Sequence, residues 1–125
     1  MNKAKILIVE DEAIVALEIK YRLTKLGYSV IGTASSGKRA LELTEETKPD
    51  VVLMDIKLKG SMNGLEVATQ IRDRFNIPCI FLTAFSDDST IKQMENVFNY
   101  ERLQKPFEVI DLDNAIKITL EKKKN

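Results

Sequence analysis

Residues Val51-Val52-Leu53-Met54-Asp55 place four apolar side chains in a row directly before a carboxylate. A short, continuously apolar run is typical of a strand that is buried on both faces of a sheet. Pro49-Asp50 precedes the run, and a polar, glycine-containing segment from residue 57 to residue 63 follows it. We therefore predict a buried strand over Val51–Met54 that brings Asp55 to its carboxyl end.

Short apolar runs alternate with longer amphipathic segments on both sides of this strand. Further strands are predicted where apolar, β-branched or aromatic residues gather, at Lys5–Val9, Tyr28–Ala34, Cys79–Leu82 and Arg102–Gln104. Helices are predicted where apolar residues recur every three or four positions, over 12–26, 38–47 and 90–98 and onward from Leu65 and from Val109.

These segments form five strand–helix units. Continuously apolar strands imply a parallel sheet that is covered by helices on both faces. Right-handed crossovers make this a doubly wound α/β fold, and the natural order for five strands is the flavodoxin-like order 2-1-3-4-5. A length of 125 residues suits one domain, so we assign residues 1–125 to a single domain.

The composition narrows the possible functions. Lysine plus arginine total 19, as do aspartate plus glutamate, so net charge gives no reason to expect nucleic acid or an anionic membrane as a partner. Histidine is absent, which excludes Ser-His-Asp and Cys-His catalysis. The single cysteine, Cys79, and the lack of any apolar stretch near the ~20 residues that span a bilayer lead us to predict a cytoplasmic protein.

Polar residues that can carry chemistry follow four of the predicted strands. Glu10 and Asp11 follow the first strand, Asp55 the third, Thr83 the fourth and Lys105 the fifth. Ligands of doubly wound folds bind at the carboxyl ends of the strands, where the strand order reverses. We therefore expect these side chains to meet at one edge of the sheet.

Several carboxylates at one edge repel one another, and a hard divalent cation relieves that repulsion. With few protein oxygens available, Mg²⁺ with retained waters fits better than Ca²⁺. Asp11 can bind the ion directly, Glu10 directly or through water, and the Lys57 carbonyl is a further possible ligand. Asp55 can be both a ligand and a nucleophile that forms an acyl phosphate.

Lys105 is a mobile cation suited to a phosphoryl oxygen, and the Thr83 hydroxyl can bind another. Each residue alone also has an ordinary explanation: Glu10 and Asp11 as acids at a helix start, Asp55 as a turn residue, and the other two as structural residues. The combination argues against these explanations, because each residue type ends a different parallel strand.

The chain resembles the receiver domain of two-component response regulators over nearly its whole length. Five stretches in the same order and spacing carry the resemblance: Ile6–Glu12, Pro49–Ile56, Asn63–Glu66, Leu82–Ala84 and Lys105–Phe107. It implies a metal site formed by Glu10, Asp11, Asp55 and the Lys57 carbonyl. It also implies phosphoacceptance by Asp55, a hydroxyl switch at Thr83, a phosphoryl-sensing cation at Lys105 and a cis bond before Pro106.

The resemblance further implies partners. A histidine kinase or a phosphotransfer protein would donate the phosphoryl group, with Mg²⁺ as cofactor, and an unidentified downstream protein would receive the signal. The chain would then be an acceptor with possible autodephosphorylation rather than a turnover enzyme. We expect output through protein contacts, or else that the chain is part of a longer protein.

Two features depart from the usual receiver pattern. Gly64 lies nine residues after Asp55, where eight is common, and we expect this longer loop to affect phosphoryl lifetime and kinase choice. Arg102 stands three residues before Lys105, where receivers usually carry an aromatic residue. A buried, unpaired charge is costly, so we predict that Arg102 stays at the surface. There it could be simply solvated, or pair with a partner or a second copy of the chain when Asp55 is phosphorylated.

Three other functions fit the sequence less well. A flavodoxin-like flavin-binding domain needs a hydroxyl- and glycine-rich phosphate loop after the first strand, where this chain has Glu10-Asp11-Glu12. A phosphohydrolase that uses Asp55 needs a second acid two residues later, where this chain has Lys57. A degenerate receiver that serves only as an interaction module would not need the complete acidic set.

Overall fold

The computed structural model describes residues 4–58, 60, 62–84, 92 and 101–124. Five parallel strands form one sheet in the order β2-β1-β3-β4-β5. The strands are β1 (Lys5–Val9), β2 (Ser29–Ala34), β3 (Val51–Asp55), β4 (Cys79–Thr83) and β5 (Glu101–Gln104). The described helices are α1 (Ala13–Lys25), α2 (Gly37–Thr47), α3 (Gly64–Phe75) and α4 (Val109–Lys124). The predicted fold class and strand order are confirmed.

The apolar strands divide their side chains between two cores. Successive side chains on a strand point to opposite faces of a sheet. Ile6 and Ile8 of β1 accordingly pack with α1 and α4 on one face, and Leu7 and Val9 pack with α2 and α3 on the other. All four side chains are fully buried. Burial on both faces explains why the central strands read as continuous apolar runs.

Side-chain caps fix the residues at which α2 and α3 begin. The Ser36 side chain accepts a hydrogen bond from the Arg39 N–H at 3.2 Å and so begins α2. The Asn63 side chain does the same for α3, accepting from the Glu66 N–H at 2.9 Å. Because α3 begins directly after the loop that follows β3, the Asn63 cap also fixes the far end of that loop.

Several element bounds differ from the sequence prediction. Tyr28 was assigned to the second strand, but it lies in the C-terminal motif of α1. Its N–H donates to the Leu23 carbonyl at 3.0 Å, and Gly27, with a φ of 93°, donates to the Thr24 carbonyl at 3.0 Å. β2 therefore begins one residue later, at Ser29.

Other bounds shift by one residue. α1 begins at Ala13 rather than Glu12, because Glu12 keeps an extended backbone. β3 continues to Asp55 and β4 to Thr83, since Asp55 is in register with Leu82 and Thr83 with Gln104. The helix predicted over 90–98 lies outside the described residues, apart from Lys92, which is helical.

Among the described residues, none of the helices combines the length and the apolar character that a membrane span requires. The cytoplasmic location stays a prediction.

Candidate functional site

The carboxyl edge of the sheet collects the predicted side chains. Glu10 directly follows β1, and its N–H donates to the Ala34 carbonyl at 2.9 Å, which extends the pairing of β1 with β2. Asp55 ends β3, and Thr83 ends β4. Lys105 follows β5, where its N–H donates to the Thr83 carbonyl at 2.7 Å. The edge lies at the point where the order reverses between β1 and β3, the ligand-binding position of doubly wound folds.

Three carboxylates meet at this edge. One oxygen from each of Glu10, Asp11 and Asp55 lies within 4.8 Å of the other two. Glu10 and Asp55 are buried, whereas Asp11 is partly exposed. Because carboxylates are rarely buried without a partner, this arrangement calls for a compensating positive charge.

Lys105 supplies one positive charge. Its Nζ lies 2.8 Å from Glu10 Oε1 and 3.7 Å from Asp55 Oδ2. The Glu10 side chain is fully buried and the Lys105 side chain is 29% exposed, so solvent screens this ion pair only in part. One lysine against three carboxylates leaves the cluster net negative.

The two buried acids, Glu10 and Asp55, differ in how readily they ionise. Burial is the main cause that raises the pKa of Asp55 to about 7, and a hydrogen bond to Glu10 and the negative charge of Glu10 add to it. The positive charge of Lys105 and the hydrogen bond from the Lys57 N–H act in the opposite direction and lower this pKa. Burial also opposes ionisation of Glu10, but hydrogen bonds from Asp55 and Lys105 hold the pKa of Glu10 below its ordinary value. The pair thus holds its proton mainly on Asp55.

Hydrogen bonds and a close approach of α3 hold the backbone around Asp55 in place. The Lys57 N–H donates to Asp55 Oδ1 at 3.1 Å, and the Gly64 N–H donates to the Ile56 carbonyl at 2.8 Å. A Cβ on Gly64 would overlap the Asp55 carbonyl oxygen and lie 2.8 Å from the Ile56 Cα. Glycine is therefore required where α3 approaches the end of β3. From the sequence, Gly64 was evident only as part of a motif and as a marker of the length of the loop after Asp55.

The Thr83 hydroxyl is buried and turned toward the neighbouring strand. It donates to the Leu103 carbonyl at 3.3 Å, which is long for a hydroxyl hydrogen bond. Such a bond is easily exchanged for a stronger acceptor. Thr83 therefore links the end of β4 to β5 in this state.

Two sequence predictions near the site concern the β5 segment. Arg102 is exposed, as predicted from the cost of burying its charge. The Lys105-Pro106 peptide bond is cis, as the family resemblance implied. The placement of the Lys57 carbonyl as a metal ligand stays a prediction, since the contact described here is made by its N–H.

A contact that the sequence analysis missed joins α1 to the loop after β5. Arg22 Nη1 donates to the Phe107 carbonyl at 2.9 Å. The two residues are 85 positions apart, and no local pattern connects them.

A five-stranded parallel α/β sheet with clustered acids, a lysine and a hydroxyl at its switch-point edge defines a receiver-type domain. The family model for the response regulator receiver domain matches residues 6–117, and the chain belongs to that family.

Relatives of known description agree with this assignment. The transcriptional regulatory protein PdtaR of Mycobacterium tuberculosis is 34% identical over 116 residues, which cover 93% of this chain and 56% of PdtaR. The chain thus spans little more than half of that relative's length. The signal receiver domain of a modulated diguanylate cyclase from Desulfovibrio desulfuricans G20 is 32% identical, with a TM-score of 0.92 over 98% of each chain.

A third relative has a named signalling role. A variant of the anti-anti-sigma factor PhyR from Bartonella quintana is 28% identical, with a TM-score of 0.82 over 98% of this chain and 50% of that one.

Proposed function

We propose that this chain is a phosphoacceptor switch in which Asp55 receives a phosphoryl group from a histidine kinase or a phosphotransfer protein. The proposal rests on one observation above all. A buried aspartate at the end of a central strand lies among two further carboxylates and within 3.7 Å of a lysine ammonium. The chain accepts phosphate and is not itself a turnover enzyme.

The donor set fits Mg²⁺. Its three carboxylates are all hard oxygen ligands that converge within 4.8 Å, and one lysine does not neutralise them. We assign the ion to Glu10, Asp11, Asp55 and the Lys57 carbonyl. When bound, Mg²⁺ supplies positive charge that stabilises the charge developing on the phosphoryl oxygens.

Phosphoryl transfer makes and breaks one bond each. A carboxylate oxygen of Asp55 attacks the phosphorus, and the bond from phosphorus to the donor's imidazole nitrogen breaks. The electron pair of that bond stays on the imidazole, and Asp55 carries an acyl phosphate. The attack needs the ionised form of Asp55, which a pKa raised to about 7 leaves only partly populated at neutral pH.

Lys105 and Thr83 are the side chains that would respond to a phosphoryl group on Asp55. In the unphosphorylated state Lys105 contacts Glu10 and Asp55, and Thr83 contacts the Leu103 carbonyl. A phosphoryl group on Asp55 offers both side chains a more highly charged acceptor. Their exchange of partners would shift β5 and the loop after it, and so change a surface.

That surface controls a partner in our proposal. PhyR, a structural relative, is an anti-anti-sigma factor, which supports an output through protein contact. Arg102 is exposed on β5, and Glu101 beside it lies 3.8 Å from Lys122. This charged strip is our candidate for contact with an acidic partner or a second copy of the phosphorylated chain.

Sedimentation of wild type and Arg102→Ala, each with and without beryllofluoride, tests whether the strip forms such a contact. Equal behaviour of the two proteins would leave Arg102 as a solvated residue.

The acceptor role is tested by phosphorylation with a small phosphodonor. Wild type should gain one phosphoryl group in the presence of Mg²⁺ and none in the presence of a chelator, as read by intact mass. Asp55→Asn should gain none. Asp73→Asn is the matched control, because the Asp73 side chain is exposed on α3 and pairs only with its neighbour Arg72 among the contacts described. Equal phosphorylation of Asp55→Asn and wild type would refute the role.

A further inference from the structure

The loop that carries Lys105 is anchored at both ends. At the sheet, the Lys105 N–H donates to the Thr83 carbonyl at 2.7 Å. At the start of α4, the Glu108 N–H donates to the Asp111 carboxylate at 3.1 Å. Pro106 and Phe107 lie between these two points and run alongside α1.

Among the described contacts, Arg22 joins α1 to this loop by a direct hydrogen bond. Side chains of a helix lean toward its N-terminus, so Arg22, in the last turns of α1, reaches toward the carboxyl edge of the sheet. Its Nη1 donates to the Phe107 carbonyl at 2.9 Å, and its Nη2 contacts Glu18 Oε1 at 2.7 Å. Glu18 lies one turn earlier on α1 and therefore holds the guanidinium in place.

Phe107 packs against the core that includes α1 but is only partly buried, so the apolar packing between the loop and α1 is incomplete. A cleft of about 240 Å³, open to solvent, lies between the loop and α1, and Arg22, Lys105 and Phe107 are among the residues that line it. Where side chains do not interdigitate, a loop is free to shift unless hydrogen bonds hold it. A hydrogen bond from a charged donor is about twice as strong as one between neutral groups.

We infer that Arg22 is a positioning residue for Lys105: by holding the Phe107 carbonyl, it keeps the Lys105 ammonium where a phosphoryl group on Asp55 would need it. The inference rests on the proposed function, since it assigns a role to a residue that acts on the same site. In the described part of the chain, the Arg22 contacts are to Glu18 and Phe107 and not to Glu10, Asp11 or Asp55. Arg22 acts through two peptide units of the loop.

An ordinary alternative is a surface salt bridge within α1. Glu18 and Arg22 are four residues apart, the spacing at which helical ion pairs add a little stability. Such a pair would affect unfolding and leave the site unchanged. The two explanations predict different binding results, because the metal ligands come from β1 and β3 and the lysine comes from the loop.

The experiment compares two affinities in the full chain. Mg²⁺ affinity is measured by calorimetry, and beryllofluoride affinity at saturating Mg²⁺ by ¹⁹F NMR. Arg22→Met keeps the apolar stem over the loop and removes the donors, and Arg22→Lys restores a charged donor. Arg39→Met is the matched control, because among the described residues the Arg39 guanidinium contacts only Glu42 on its own helix.

Arg22→Met should bind beryllofluoride about tenfold more weakly than wild type, while its Mg²⁺ affinity stays within about twofold. Arg22→Lys should recover part of the loss, and Arg39→Met should match wild type. Unchanged beryllofluoride affinity in Arg22→Met would overturn the inference while leaving the proposed function intact. An equal loss of both affinities would also overturn it, because it would show general damage. Failure of wild type itself to bind beryllofluoride would refute the proposed function and this inference together.

Discussion

At the scale of single residues, the site is dominated by a conflict between burial and charge. Asp55 and Glu10 are both buried, and their carboxylates share a hydrogen bond, so they cannot both ionise at low cost without a cation. Lys105 relieves this conflict only in part, since it contacts Glu10 at 2.8 Å and Asp55 at 3.7 Å. The negative charge that remains uncompensated is the reason for proposing a cation at this cluster.

The pH dependence of stability follows from the pKa of Asp55. The folded state raises this pKa from 3.8 to about 7, so the stability tied to the protonated form is complete below pH 4 and is lost as pH rises through 7. Asn, which never ionises, avoids this loss. In the presence of a chelator, Asp55→Asn should be more stable than wild type by roughly 1 to 2 kcal/mol at pH 8, and by much less at pH 5.

Urea unfolding of both proteins at the two pH values measures this difference. A gap that is the same at pH 5 and pH 8 would show that Asp55 is not the titrating group.

Asp11 should affect metal binding without affecting the core. Its carboxylate is partly exposed and belongs to the acidic cluster, so Asp11→Ala should weaken Mg²⁺ binding by about tenfold or more and block phosphorylation although Asp55 is present. Titration by calorimetry measures the affinity. Glu12→Ala is the control, since Glu12 is exposed and contributes its backbone N–H to Glu10. If Asp11→Ala binds Mg²⁺ like wild type, Asp11 is only a helix-start residue.

At the scale of elements, the connection from β3 to α3 fixes the position of Asp55. Three hydrogen bonds hold the loop between β3 and α3. They are the Asn63 cap on α3, the bond from the Gly64 N–H to the Ile56 carbonyl and the bond from the Lys57 N–H to the Asp55 carboxylate. The loop is one residue longer than in many receivers, yet it returns α3 close to the Asp55 backbone. Its closure therefore depends on a glycine rather than on loop length.

Gly64→Ala should be strongly destabilising. The added methyl would overlap the Asp55 carbonyl, and backbone atoms cannot move aside as a flexible side chain can. We expect a loss of about 2 to 3 kcal/mol in the free energy of unfolding, together with slower phosphorylation. Gly32→Ala is the matched control, because its new Cβ would make only ordinary contacts at 3.5 Å with the side chains of Leu43 and Leu7. Similar stability losses in the two variants would contradict the close approach of α3.

At the scale of the whole molecule, the sheet connects Asp55 to the surface at β5. Asp55 is in register with Leu82, and Thr83 with Gln104, so β4 lies between Asp55 and β5. The Thr83 bond to the Leu103 carbonyl is the link that a phosphoryl group would compete for. The segment we expect to respond, residues 85–107, falls partly outside the described residues.

Beryllofluoride should therefore change amide signals beyond the site. With Mg²⁺ present, we expect shifts at Leu103, Gln104 and the residues after them, because Thr83 and Lys105 exchange partners. Thr83→Val, which lacks the hydroxyl and keeps the shape, should reduce the shifts on β5 and leave those around Asp55. Shifts confined to the neighbours of Asp55 in wild type would contradict a propagated switch.

Features that follow from sequence patterns could be predicted, whereas contacts between segments far apart in the chain could not. The strand order and the meeting of acids at one edge could be predicted because apolar runs mark buried strands, and parallel strands share a carboxyl edge. Tyr28 was assigned wrongly, since a helix C-terminal motif overrode its strand propensity. The Arg22 contact and the space requirement at Gly64 were out of reach, because both depend on backbone approach between distant segments.

The central claim is that Asp55 carries an acyl phosphate, and chemical trapping tests it most directly. Wild type is treated with Mg²⁺ and a small phosphodonor, then with borohydride, which reduces an acyl phosphate to an alcohol and leaves free carboxylates unchanged. Peptide mass spectrometry should find homoserine at position 55 in wild type, and aspartate there when Mg²⁺ is withheld. Aspartate at position 55 in a protein that has gained phosphate, with homoserine or a phosphoester elsewhere, would contradict the account.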